Sequence, residues 1–246
     1  MNVIVAACFA ALLTAPPPAP VDHDELRADL TQSLHRYGVA TDVPSLLRAV
    51  SEDPRPSVRM LAADLLPRLK EKGAAAAVMR AALEKDADEQ VRAHLGWDLL
   101  EIEGDQALPV VHALLLRTQD LDNRIHLAWP LAERGDFAGY ADVLKGLESQ
   151  APTRVFAAQA LGAFMAKCRD CGLTPPPVDE ALRWVKIPAM RSSMLFALSR
   201  RLDDPRVVAA LTVVANEDKD ELVRDTAKVF LNQAARENQQ GHGDHR

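Results

Sequence analysis

The chain has 246 residues, 48% of them hydrophobic, 4% aromatic and 11 of them glycine, which marks a core-forming protein and excludes a disordered or collagen-like one. Its formal net charge is −6, and no cluster of Lys and Arg stands without matching acids. The unopposed basic surface that a nucleic-acid binder needs is therefore missing. Alanine and leucine supply most of the apolar mass, and long β-branched runs bounded by turns are missing after the N-terminus, so the expected fold is all-α.

The first predicted element is a leader. Val3 to Ala15 form an apolar run, followed by Pro16-Pro17-Pro18-Ala19-Pro20. The run is too short to span a bilayer as a helix and suits the apolar region of a secretory signal peptide, although no Lys or Arg precedes it. Residues 1–20 are thus expected to be a signal peptide and Pro-rich linker for a secreted or periplasmic protein with no integral membrane span. The alternative is a cytoplasmic protein with a frayed apolar start. Residues 21–40 should hold an N-terminal capping helix, Val21 to Tyr37, with Leu26, Leu30 and Leu34 on one face and Gly38 closing it.

Six helix pairs are expected over residues 41–238. They are Val43–Glu52 with Pro54–Glu71, Ala74–Lys85 with Ala87–Glu103, and Gln106–Gln119 with Leu121–Arg134. Then come Phe137–Ser149 with Pro152–Lys167, Val178–Lys186 with Pro188–Arg201, and Pro205–Asn216 with Asp220–Arg236. Gly73, Gly104 and Gly135 fall between pairs, where helix C-caps belong. Asp53-Pro54 and Asp204-Pro205 read as turns with a helix-initiating proline. Residues 239–246 form a polar tail, expected to be disordered.

An arginine ladder runs through the second helices: Arg59, Arg92, Arg124, Arg154, Arg191 and Arg224, each seven residues before a leucine. The intervals are 33, 32, 30, 37 and 33 residues, and the insertion Cys171 to Pro177 accounts for the long one. Self-similarity at this period implies stacked helical hairpins, an α-solenoid. With each arginine as position zero, position +3 holds Ala62, Leu95, Leu127, Ala157, Met194 and Ala227. Position +7 holds Leu66, Leu99, Leu131, Leu161, Leu198 and Leu231. The two positions lie one turn apart and make the buried stripe. The arginine fork is expected to reach an aspartate of its own inter-helix turn: Asp53, Asp86, Asp120 or Asp122, and Asp218 or Asp220.

The segment Asp53-Pro54-Arg55-Pro56-Ser57-Val58-Arg59, followed by Ala62-Ala63 and Leu65-Leu66, resembles a HEAT repeat of the bacterial type. Ala157-Ala158-Gln159-Ala160-Leu161-Gly162 after Arg154 is similar, as is Asp220-Glu221-Leu222-Val223-Arg224. The resemblance implies a right-handed α-solenoid of about six HEAT-like hairpins whose second helices line a concave face. Asn123 and Met190 depart from it where valine is usual. It implies a general protein- or peptide-binding role and no activity.

Positions +2, +5 and +9 point away from the leucine stripe, toward that concave face. They place His94, Trp97 and Glu101 in repeat two and His126, Trp129 and Glu133 in repeat three. Phe156 and Gln159 follow in repeat four, and Phe196 and Arg200 in repeat five. Tryptophan is a usual interface anchor, so this strip is the candidate partner-binding surface. A structural ladder in which Trp97 and Trp129 fill gaps between helices is the competing reading. HEAT-repeat hydroxylases with a di-iron centre use His-Glu dipeptides, and the chain contains none. No metal, cofactor or catalytic residue is therefore expected, nor is a Ser-His-Asp, P-loop or dinucleotide motif present. The alternative function is a HEAT-like enzyme or enzyme subunit similar to phycobilin lyases, for which no motif can be placed.

Cys168 and Cys171 form a CxxC without the following His of a haem site or the second CxxC of a zinc ribbon. In an exported protein they read as a local disulfide at a helix end; in a cytoplasmic one, as two free thiols. A catalytic role ranks below both.

Overall fold

The computed structural model describes residues 23–69 and 72–241. The expected leader and linker at residues 1–20 lie outside them, as do the last five residues of the polar tail. Among the described residues every regular element is helical and none is a strand. The chain divides into two compact units, with the boundary after Asp142.

The first unit contains α1 (His23–Arg36), α2 (Val43–Glu52), α3 (Pro56–Leu65), α4 (Lys72–Lys85), α5 (Glu89–Glu103), α6 (Leu108–Arg117) and α7 (Leu121–Glu133). It ends within α8 (Tyr140–Glu148). Helices α2 and α3, α4 and α5, and α6 and α7 pack as hairpins. The second members form a row, α3 on α5 and α5 on α7, and α1 covers α3. The second unit contains α9 (Thr153–Lys167), α10 (Pro177–Trp184), α11 (Arg191–Leu198), α12 (Pro205–Glu217) and α13 (Glu221–Gly241). There α10 pairs with α11 and α12 with α13, while α9, α11 and α13 form the row. The last helix runs to Gly241, past the end expected at Arg236.

Local chemistry sets the helix starts. Asp42, Asp88, Asp120 and Asp204 each cap a helix by accepting a backbone N–H of its first turn. Helix α3 begins at Pro56, not at Pro54 as expected. Pro56 forces Arg55 out of the helical region, to φ −90° and ψ 115°. Gly73 is also corrected: it lies in the first turn of α4 rather than in a cap between pairs. Gly104 and Gly135 take positive φ, 60° and 84°, directly after α5 and just after α7.

The buried stripe follows the ladder. All six +3 residues are buried, and so are Leu66, Leu99, Leu131, Leu161 and Leu198, each worth about 1.5–3 kcal/mol of apolar burial. Leu231 on the terminal helix is only half-buried.

The arginines behave differently from expectation. Arg59, Arg92, Arg124, Arg191 and Arg224 each donate to the carbonyl six residues earlier, on Asp53, Asp86, Thr118, Val185 and Asp218. Those carbonyls belong to residues that directly follow the first helix of each hairpin, so each guanidinium caps an orphan helix end with favourable charge. Arg154 does the same one residue closer, on the Ser149 carbonyl. For Arg59, Arg124 and Arg191 a carboxylate comes from the next helix in the chain or the residue that ends it. Arg59 grips Asp86 with Nε and Nη2 at 2.7 and 2.9 Å, Arg124 reaches Asp142 at 2.7 Å, and Arg191 reaches Asp218 at 2.7 Å. Asp86 and Asp218 thus serve two arginines each, one through the carbonyl and one through the carboxylate.

Candidate functional site

The row α3, α5 and α7 presents its +2, +5 and +9 side chains side by side. Gly96 sets the spacing of α5 and α7, since a Cβ there would lie 2.9 Å from Leu127 Cδ2. At this approach the rings of Trp97 and Trp129 meet edge to face, with centroids 5.4 Å apart and planes at 76°. His126 stacks obliquely on both His94 and Trp97, at 4.6 and 4.9 Å. Each indole is oriented by an acid one turn further on. Trp97 Nε1 donates to Glu101 Oε1 at 3.4 Å, and Trp129 Nε1 donates to Glu133 Oε1 at 3.1 Å. Both tryptophans are half-buried, and both glutamates are exposed.

Three residues join this face that the sequence reading did not name. Asp64 and Arg68 stand at +5 and +9 from Arg59, the same register as Trp97 and Glu101 from Arg92. Asp64 lies 3.7 Å from His94 Nδ1, and Arg68 lies 3.7 Å from the Glu101 carboxylate while donating to the Asp64 carbonyl. The third is Asp98, at +6 of α5 and 3% exposed. Its equivalents in the other repeats are Leu65, Pro130, Ala160, Ala197 and Phe230, all apolar. One acid in an apolar register was the available signal.

Burial, and after it the negative charges of Asp64 and Glu101, hold the Asp98 carboxyl well above its ordinary value, with Arg68 opposing. A side-chain hydrogen bond with Asp64 favours the protonated form in the same direction. Its Oδ2 is buried without a hydrogen-bond partner. Burial, then the His94 ring, holds His126 well below the usual imidazole value, so it is neutral.

The remaining strip residues belong to the second unit. Phe156 and Gln159 sit half-buried on α9, and Phe196 on α11 meets Phe230 of α13 edge to face at 6.1 Å. Arg200 is exposed, just after α11. Cys168 and Cys171 are joined in a disulfide, with Cα atoms 5.3 Å apart, at the C-terminal end of α9. A cavity of about 430 Å³ opens between α10 and α12, lined by Leu182, Val185, Ala210 and Val213. Two charges on its wall, Arg191 and Asp218, are bound to each other.

Among the described residues no group of three or more His, Cys, Asp or Glu is placed to hold a metal ion. Nor is any described helix long and apolar enough to cross a membrane. Comparison of the chain with protein-family models, with curated proteins and with solved structures finds no match.

Proposed function

We propose that the chain is a HEAT-type right-handed α-solenoid of about six hairpins. It acts as a non-enzymatic scaffold that binds a protein or peptide on the face of α3, α5 and α7. The observation that carries this reading is the repeated Trp–Glu unit: two tryptophans one repeat apart, in contact, each held by its own glutamate. Rigid, oriented aromatics beside exposed polar groups are what interface anchors require. The recurrence of the arginine clamps at one register supports the repeat reading.

The disulfide supports a site of action outside the reducing cytosol, in agreement with an exported protein. Mass spectrometry after thiol alkylation of protein from its native host tests this; two alkylated thiols would contradict it.

The enzymatic alternative draws on the Asp64–Asp98 carboxyl pair beside His94, since shifted acids gather at reaction centres. Asp98 is too deeply buried to touch a substrate, and structural packing accounts for its shift. The deciding experiment is affinity capture with wild-type protein beside Trp97→Ala/Trp129→Ala. Loss of capture at unchanged melting temperature supports the binding face. Unchanged capture with a collapsed melting temperature assigns both indoles to packing and overturns it.

A further inference from the structure

The chain contains three tryptophans, and in all three the indole N–H donates to a glutamate one turn away. The third unit lies on α10, where Trp184 Nε1 donates to Glu180 Oε1 at 2.6 Å. That unit is occupied. The guanidinium of Arg183 lies over the Trp184 ring, 5.1 Å from its centroid, and pairs with Glu180 at 3.3 Å. Ring and carboxylate hold the same cation, one through the π face and one through charge. The molecule thus displays what its Trp–Glu unit accepts.

The Trp97–Glu101 unit has the same two parts and a different set of neighbours. Its ring touches His126 and Trp129, and among the described residues no guanidinium or ammonium lies over it. Glu101 accepts the indole N–H with Oε1, has Arg68 3.7 Å from Oε2, and is 40% exposed. The surroundings favour a cation. Asp64, Glu101 and Glu133 bring three carboxylates to this face against the one guanidinium of Arg68, which donates to the Asp64 carbonyl and lies 3.7 Å from Glu101. Burial, and after it the negative charges of Asp64 and Glu101, push the carboxyl of Asp98 beneath them upward.

We propose that the face of α3, α5 and α7 is an arginine-recognition site, in which an arginine of the bound protein or peptide lays its guanidinium against Trp97 and pairs with Glu101, with Trp129 and Glu133 flanking it. This rests on the binding-face reading above and adds the chemistry of the partner. Arginine is preferred to lysine because its planar, weakly hydrated fork stacks on an indole and meets a carboxylate at once.

The test uses the full chain and blocked oligo-arginine as the probe, with oligo-lysine, oligo-glutamate and oligo-serine as comparisons. Affinity is read by titration calorimetry at physiological salt, which screens diffuse attraction to an acidic protein. Oligo-arginine is expected to bind, and Glu101→Gln and Trp97→Leu each to weaken it by roughly tenfold. Trp184→Phe should leave binding unchanged, and circular dichroism of each variant confirms the fold. Equal binding of oligo-glutamate or oligo-serine would overturn the proposal, as would indifference to Glu101→Gln. Equal binding of oligo-lysine would overturn the assignment to arginine. If partner capture depends on Trp97 and Trp129 while oligo-arginine is not bound, the binding face stands and the arginine inference falls.

Discussion

The most direct test of the repeat architecture is a pair of double-mutant cycles centred on Asp86. Its carboxylate accepts from Arg59 Nε at 2.7 Å, from Arg59 Nη2 at 2.9 Å and from the Asp88 backbone N–H at 2.9 Å. The side chains of Arg59 and Asp86 are only 13% and 7% exposed. Removing one member of a buried pair costs about 3–5 kcal/mol. Arg59 keeps its bond to the Asp53 carbonyl, so Asp86→Ala should cost the lower figure, about 3 kcal/mol. Arg92 also touches Asp86, but at the carbonyl, which the substitution leaves in place. With Arg→Met variants that keep the aliphatic stem, urea unfolding should give a coupling of about 2 kcal/mol between Arg59 and Asp86. Between Arg92 and Asp86 it should be below about 0.5 kcal/mol. A coupling to Arg92 as large as that to Arg59 would refute the inter-repeat clamp and restore the same-turn pairing that the sequence suggested.

Four further outcomes are expected. Asp98→Asn should change the pH profile of the melting temperature. The Asp98 contribution to stability is complete below the unfolded value of 3.8 and is lost as pH rises toward its raised folded value, at most about 1.4 kcal/mol per pH unit. The variant should therefore gain on the wild type as pH rises above about 4, and parallel profiles would show that the Asp98 carboxyl is not raised in the fold. His126 acts in the opposite sense: its contribution is present above 6.5 and lost as pH falls toward its lowered folded value, so His126→Gln should flatten the acid limb. Gly139→Ala should destabilise by about 1–3 kcal/mol, read by urea unfolding, because the new Cβ would lie 2.2 Å from Ala128 Cβ and 3.0 Å from its Cα. Cys168→Ser/Cys171→Ser should cost about 2 kcal/mol, the loop-closure term for so short a loop, and a neutral result would mean that α9 does not need its staple.

The helical architecture was legible because its cause is local. Period and the glycines Gly104 and Gly135 act within a few residues, and the range expected for α2, Val43–Glu52, is the range observed. Pro56 was misjudged because its effect falls on the residue before it, and Asp53-Pro54 offered a competing start. The clamp partners were invisible for a different reason. Arg59 and Arg92 lie six residues after Asp53 and Asp86, and sequence proximity suggested pairing within each turn. Only the stacking of one hairpin on the next brings Asp86 to Arg59, and stacking distance is not written in any single turn. The strip at Trp97 and Trp129 was legible from register. Asp64 and Arg68 obey the same register and follow from it once repeat one is included.

Asp98 carries the argument from packing to recognition. Five equivalent turns fill this position with apolar side chains, so the fold itself does not require an acid there. A buried ionised carboxylate would be costly, and the site favours the protonated form, with a hydrogen bond to Asp64 among the causes. That bond fixes Asp64, which in turn faces His94, whose ring stacks on His126 and so leads to Trp97. Asp98 beneath the face thus holds Asp64 on it. An apolar residue at this site would pack as well as its counterparts do, yet it would release Asp64 and, with it, part of the negative field that a guanidinium at Trp97 would feel.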